Sequence, residues 1–258
     1  MIYPSYEEFR RLLSRGNLVP VWAEVLADFD TPVSALKKIE TGDYSFLLES
    51  VAGGEKWGRY SFLGTEPSVV FRSKGRRIEI SSCGEWKTME GDPLRCLREL
   101  LSRYKPSLPE GLPRFYGGAV GYFGYDIVRF IEDLPDQTVD DLGVWDSFFL
   151  IADTVLVFDN VTHKIKIISN AFVDECGDPG EAYERSKQKI FSIIDRLRKP
   201  LPGFLFKPIG GGGACGEHTT LTSNFSKDEF VKAVEKTKEY IRAGDIIQAV
   251  ISQRWSCV

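Results

Sequence analysis

Two histidines and five scattered cysteines are all that 258 residues offer to imidazole or thiolate chemistry. The cysteines (Cys83, Cys96, Cys176, Cys215 and Cys257) are odd in number and never spaced C-x-x-C. That pattern argues against a zinc ribbon, a dithiol redox motif or a disulfide framework, and suits reduced thiols in a cytosolic protein. His163 lies in "DNVTHKIKI", which has the look of a hairpin turn, and His218 lies in a Gly-rich stretch. Both read as solvent-facing residues, which leaves little from which to build a Ser-His-Asp triad. A concentrated basic face is missing as well: 33 Lys and Arg against 37 Asp and Glu give a formal charge of −4, with no long run of either sign. Nucleic acid is therefore not an expected partner. No apolar run approaches the ~18 residues of a membrane span, and the opening "MIYPSYEEFRRLL" has no apolar secretory core. The expectation is a cytoplasmic protein that does not engage a membrane.

What is present is the composition of an ordinary globular protein, 43% hydrophobic and 27% charged. The length suits one large domain or two small ones. Ser5 with Glu8 three residues later predicts a capped helix from "PSYEEFRRLL". In "DTPVSALKKIE", Thr31 is placed to cap, Pro32 occupies the first helical position, and Val33, Leu36 and Ile39 share a stripe. "DYSFLLESV" and "RYSFLG" flank the loop "AGGEKWG", while "SVVFRS" and "RIEISS" flank the turn "KGR", a grammar of antiparallel hairpins. "DPLRCLRELLSRY" predicts a helix, "SFFLIADTVLVFDNVTHKIKIISNAF" one long hairpin, and Pro179 to Leu197 a charged helix.

The texture changes in "KPLPGFLFKPIGGGGACGEHTTLTSN", where prolines and four consecutive glycines predict a linker or mobile loop. The glycine run lacks the Lys-Ser/Thr and strand-to-helix context of a phosphate-binding loop. Beyond it, Ser226 and Glu229 form a capping box, Phe230, Val234, Thr237 and Ile241 mark one helix face, and Gly244 stands at the C-cap position. A closing strand is predicted with period two: Ile247, Ala249, Ile251 and Trp255 on one face, Ile246, Gln248, Val250, Ser252 and Arg254 on the other. The second face would either line a polar cavity or sit at a solvated edge. From these residues alone the reading is a soluble α+β protein.

Four blocks carry more. "LLESVAGGEKWGRYSFLG" (Leu47 to Gly64), "FYGGAVGYFGYDIVR" (Phe115 to Arg129), "FDN" (Phe158 to Asn160) and "YIRAGDIIQAVISQRW" occur in an order and spacing that resemble the large-subunit family of anthranilate synthase, across nearly the whole chain. The resemblance implies an α+β fold of antiparallel sheets with flanking helices, a two-layer sandwich left incomplete because family members are about twice this length. It implies a regulatory domain over 1–198, a linker over 199–223, and the beginning of a chorismate-binding domain over 224–258. It implies a lyase that makes anthranilate and pyruvate from chorismate and ammonia for tryptophan biosynthesis, with Mg2+ held by carboxylates beyond Val258, ammonia delivered by a glutamine amidotransferase subunit, and feedback inhibition by L-tryptophan. No catalytic or metal residue is expected within 1–258, and the chain alone is expected to be inactive.

The resemblance also assigns residues. Glu49 and Ser50 fall in the tryptophan effector site, and Lys56, Arg59 and Ser61 are further candidates. Read without it, Ser50 simply ends a strand. Gln248 stands where related chorismate enzymes that add water carry lysine; a neutral amide cannot act as a general base, which suits ammonia use. The alternative is a strand amide paired in the core. The glycines Gly117, Gly118, Gly121 and Gly124 predict a tightly packed strand and turn, and Asp126 with Arg129 either a local ion pair or a partner-facing pair. Trp145-Asp146 stands where the family usually has Pro-Asp. Competing readings are the aminodeoxychorismate synthase large subunit of the folate route, which shares the "GD-x-x-Q" motif, and a non-catalytic tryptophan-binding module.

Overall fold

The computed structural model describes residues 1–49, 58–82, 84–174, 177–201 and 221–257. The chain divides into two compact units, Met1–Phe204 and Leu205–Val258. The glycine run, His218, Ser50, Lys56, Cys83, Cys176 and Cys215 lie outside the described residues.

The first unit is α+β, built on two antiparallel sheets. The larger sheet has six strands in the order β1 (Ile2–Tyr3), β2 (Leu18–Leu26), β11 (Lys164–Phe172), β10 (Thr154–Asp159), β4 (Tyr60–Thr65) and β3 (Ser45–Leu48). The smaller has five: β7 (Glu85–Glu90), β6 (Arg77–Ser82), β5 (Val69–Lys74), β9 (Ser147–Ala152) and β8 (Gly118–Phe123). Helices α1 (Tyr6–Leu13), α2 (Pro32–Ile39) and α4 (Pro179–Leu197) cover one face of the larger sheet; α3 (Pro93–Ser102) covers the smaller.

Side-chain alternation explains why the larger sheet is apolar on both faces. Along β10, Leu156 and Phe158 enter the helix-covered core with Phe9, Ile39 and Ile190, whereas Val155 and Val157 turn to the opposite face. That second face is roofed by the aromatic rings of Trp22, Phe62, Phe115 and Tyr116 with Leu112. Phe62 and Phe115 meet edge to face, their centroids 5.3 Å apart. Each fully buried Leu, Ile or Phe contributes roughly 1.5–3 kcal/mol.

The helix ends follow from their capping residues. Thr31 accepts from the Ser34 N–H at 3.1 Å while Ser34 Oγ accepts from the Thr31 N–H at 3.0 Å, and Pro32 opens the helix. The buried residues of α2 are Ala35 and Ile39; Val33, placed on the inner stripe from sequence, is half exposed. Asp178 caps α4 through the Gly180 and Glu181 N–H groups.

The run predicted as one long hairpin is divided. β9 pairs with β5 and β8 in the smaller sheet, and β10 pairs with β11 and β4 in the larger, with Asp153 alone between them. Asn170 fixes this joint: its N–H donates to the Asp153 carbonyl at 2.7 Å, and its side-chain amide donates to the Asp153 and Tyr116 carbonyls. Gly117, at φ +157°, passes so close that a Cβ there would lie 2.3 Å from Asn170 Nδ2. The glycine block thus forms the expected close-packed strand, followed by a 3₁₀ turn over Tyr125–Phe130 in which Arg129 pairs with Asp126 at 3.0 Å.

Trp145 and Asp146 have clear roles. The Arg72 guanidinium is stacked between the Trp86 and Trp145 rings, 4.1 and 4.3 Å from their centroids, and bonds Glu79 at 2.7 Å. Asp146 accepts from the Gly75 N–H at 2.6 Å and so ties the β5–β6 turn to the segment before β9.

In the second unit, α5 (Lys227–Ala243) has the predicted capping box at Ser226 and Glu229 and ends at Gly244 in the left-handed region, φ +85°. The closing strand differs from expectation. Residues 245–254 form no strand; only β13 (Trp255–Ser256) does, pairing with β12 (Thr222–Ser223). Strands are stabilised by neighbours, and no other strand flanks this segment among the described residues. Ile247 is 96% exposed and Val250 82%, so the two predicted faces of the strand are not formed.

Candidate functional site

Of the residues singled out from sequence, Glu49, Arg59 and Ser61 lie at the end of the larger sheet where β3 finishes and β4 and β10 meet. β3 ends at Leu48, and Glu49 follows as an exposed residue. Across the hairpin, β4 begins at Tyr60, which pairs with Asp159 at the end of β10.

Two of the quoted motif blocks, "GRYSF" and "FDN", prove to be one structural unit. Arg59 grips Asp159 with two parallel bonds, Nε to Oδ1 at 3.1 Å and Nη2 to Oδ2 at 2.7 Å. The Asn160 N–H donates to the Arg59 carbonyl at 2.8 Å, and its side-chain amide donates to the Gly58 carbonyl at 3.0 Å and reaches Ser61 Oγ at 3.5 Å. Asp159 also accepts from the Val161 and Thr162 N–H groups at 3.0 and 3.3 Å, which forms the β10–β11 turn containing His163. Burial would raise the Asp159 carboxyl, but the Arg59 fork and the two backbone donors outweigh it and hold the group down at about 2. The same pairing raises the Arg59 pKa.

This clamp separates the candidates. Arg59 is half exposed, yet its fork is committed to Asp159, and the Tyr60 ring lies 4.9 Å from the guanidinium carbon. Ser61 is fully buried, its hydroxyl turned toward Asn160. Both therefore shape the site from behind. Glu49 is exposed and makes no hydrogen bond or ion pair among the described residues, while Ser50 and Lys56 fall outside them. Gln248 belongs to the second unit, where it is exposed in a non-strand segment.

A cleft of about 380 Å3 opens beside the clamp. Tyr60, Leu112, Pro113 and Val157 give it an apolar wall, and Glu24, Arg59, Asp159, Lys164 and Lys166 a charged rim. Lys166 sits 4.2 Å from the centroid of the Trp22 ring and pairs with Glu24 at 3.3 Å. An apolar wall that includes one aromatic ring, with both signs of charge at its rim, can accept a small polar ligand with an apolar body. Lys164 and Lys166 lie on β11, a predicted strand, but face Glu24 only through the pairing of β11 with β2. Glu24 escaped the sequence reading because β2 itself did. Its alternation of Val19, Val21 and Ala23 is interrupted by Pro20, a residue that argues against a strand. Pro20 is tolerated because β1 pairs only as far as Trp22 and leaves that side of β2 without a β1 partner.

Comparison with known proteins finds relatives along nearly the whole chain. The model of the chorismate binding enzyme family matches residues 44–257. Among curated relatives, anthranilate synthase component 1 of Acetivibrio thermocellus is 39% identical over 255 residues, covering 98% of this chain and 51% of the relative. The proteins of the same name from Pseudomonas aeruginosa and Aquifex aeolicus are 41% and 39% identical over 257 residues, covering 97% of this chain and 51% and 50% of their own lengths. The chain thus spans about half the length of the curated relatives it matches. With the family match extending from β3 to β13, the chain belongs to the chorismate binding enzyme family.

Proposed function

We propose that this chain is part of an anthranilate synthase component 1, which converts chorismate and ammonia to anthranilate and pyruvate and is inhibited by L-tryptophan. The observation that supports this most is identity of 35–41% to relatives of that one name, sustained over at least 97% of the chain. In this reading the first unit carries the effector site and the second contributes to the chorismate site. Ammonia comes from a glutamine amidotransferase subunit, and Gln248, a neutral amide that cannot serve as a general base, leaves water unactivated.

Magnesium is the cofactor the resemblance implies. Among the described residues no three His, Cys, Asp or Glu side chains converge into a ligand set, so no step through the metal is assigned to them. The proposal places the metal ligands in the portion of the relatives' length that these 258 residues do not span. Residues 1–258 alone are accordingly expected to form no anthranilate with excess ammonia and Mg2+, whereas the longer protein should. Anthranilate fluorescence, with product identity checked by mass, tests both. Turnover by residues 1–258 above a no-protein control, or aminodeoxychorismate as the product of the longer protein, would overturn the proposal.

The effector reading rests on Glu49, which follows β3 at the sheet end that also holds the Arg59–Asp159 clamp, and on the resemblance that assigns Ser50 beside it.

A further inference from the structure

At the opposite end of the larger sheet, α4 lies across the ends of β4 and β10 and leaves a second cleft of about 350 Å3. Arg185, Gln188, Lys189, Ser192 and Arg196 recur at helical spacing and line one side of it. Thr154 lines the other side; it is only 8% exposed, and its hydroxyl has no hydrogen-bond partner. A buried hydroxyl left unmatched is unfavourable unless a ligand or water completes it. The three cations are held to different degrees. Arg196 is fixed by the Ile39 carbonyl at 2.9 Å and Glu66 at 3.3 Å, and Lys189 pairs with Asp153. Arg185, exposed on the next turn, makes no ion pair or hydrogen bond among the described residues. The cleft lining therefore carries three positive side chains against one carboxylate, Glu66.

We infer that this cleft binds a phosphate group. Arg185 offers an uncommitted guanidinium fork, Gln188 an amide, and Thr154 and Ser192 hydroxyls. Arg196 and Lys189, held by Glu66 and Asp153, add positive charge. Donors approaching from both walls of the cleft match the three oxygens of a phosphate group better than the two of a carboxylate. The cleft lies at the other end of the larger sheet from the Arg59–Asp159 clamp, and the inference does not depend on the effector reading.

The test is a titration of the isotope-labelled 258-residue chain with inorganic phosphate at ionic strength fixed by sodium chloride, followed by amide chemical shifts. Saturable shifts at Thr154 and along 185–196 are expected, with acetate saturating at clearly higher concentration. A parallel titration with glycerol phosphate distinguishes an ester from free phosphate by which saturates first. Arg185→Gln, on the exposed face and so without effect on folding, should weaken phosphate binding about tenfold, as should Thr154→Val if it folds. Shifts that stay linear and match those of chloride would overturn the inference. So would unchanged affinity in Arg185→Gln, or acetate binding as tightly as phosphate.

Discussion

At the scale of single residues, the clamp between Arg59 and Asp159 links chemistry to stability. The Asp159 carboxyl is lowered from an ordinary 3.8 to about 2, so its contribution is fully present above the unfolded value and disappears as pH falls through the folded one. Allowing for the half-exposed partner, the pair is worth about 1–2 kcal/mol at neutral pH. Asp159→Asn should reduce unfolding free energy by that amount at pH 7 and by progressively less between about pH 4 and pH 2. Urea denaturation across that range checks it; a deficit independent of pH would show that the charge is not the source. The residue assigned by resemblance, Ser50, carries the functional prediction. On the proposed function, Ser50→Phe in the longer protein should weaken inhibition by tryptophan roughly 10- to 150-fold, the loss of one hydrogen bond to a charged ligand group, about 1.5–3 kcal/mol. An inhibition curve that overlays the parent's would remove Ser50 from the effector site.

At the scale of elements, close backbone approach decides what β8 can tolerate. A Cβ on Gly121 would lie 1.9 Å from the Phe148 carbonyl oxygen and 2.7 Å from the Phe149 Cα, both backbone atoms that cannot turn aside. Gly121→Ala should therefore destabilise the protein by about 3 kcal/mol, seen as a lower denaturation midpoint; an unchanged midpoint would mean that β8 shifts freely along β9. Elements with local signals were legible from sequence: the Thr31 and Ser226 caps, the Gly244 stop and the β5–β6 hairpin. Others carried none. β7, "EWKTME", is exposed along its length and has no apolar face to alternate. The division of the long hairpin at Asp153 has neither glycine nor proline to mark it. The clamp joins residues 100 positions apart, so "FDN" could be noticed as a motif but not given its partner. The terminal strand was over-read because period two describes a side-chain pattern, while a strand also requires an adjacent backbone.

For the whole molecule, the two units should differ in protection. Helix α5 has no buried residue, whereas β10 and β11 together bury Val155, Leu156, Val157, Ile165, Ile167 and Ile168. Local opening free energy follows such burial. Amides from 227 to 257 of the 258-residue chain should exchange well before those of β10 and β11, as hydrogen-exchange mass spectrometry would show. Equal protection would mean that the second unit is held by contacts not evident in its own burial.

The single-residue joint at Asp153 also bears on what length changes this fold can inherit. Ala152 belongs to one sheet and Thr154 to the other, so the crossing has no slack residue. One inserted amino acid would turn β10 over, carrying Leu156 and Phe158 to the aromatic-roofed face and Val155 and Val157 to the helix-covered one. It would also move Asp159 out of step with Arg59. Insertions and deletions in descendants of this sequence should therefore collect in surface connections and spare the stretch from Ser147 to Asp159, whose length is fixed by having to serve two sheets at once.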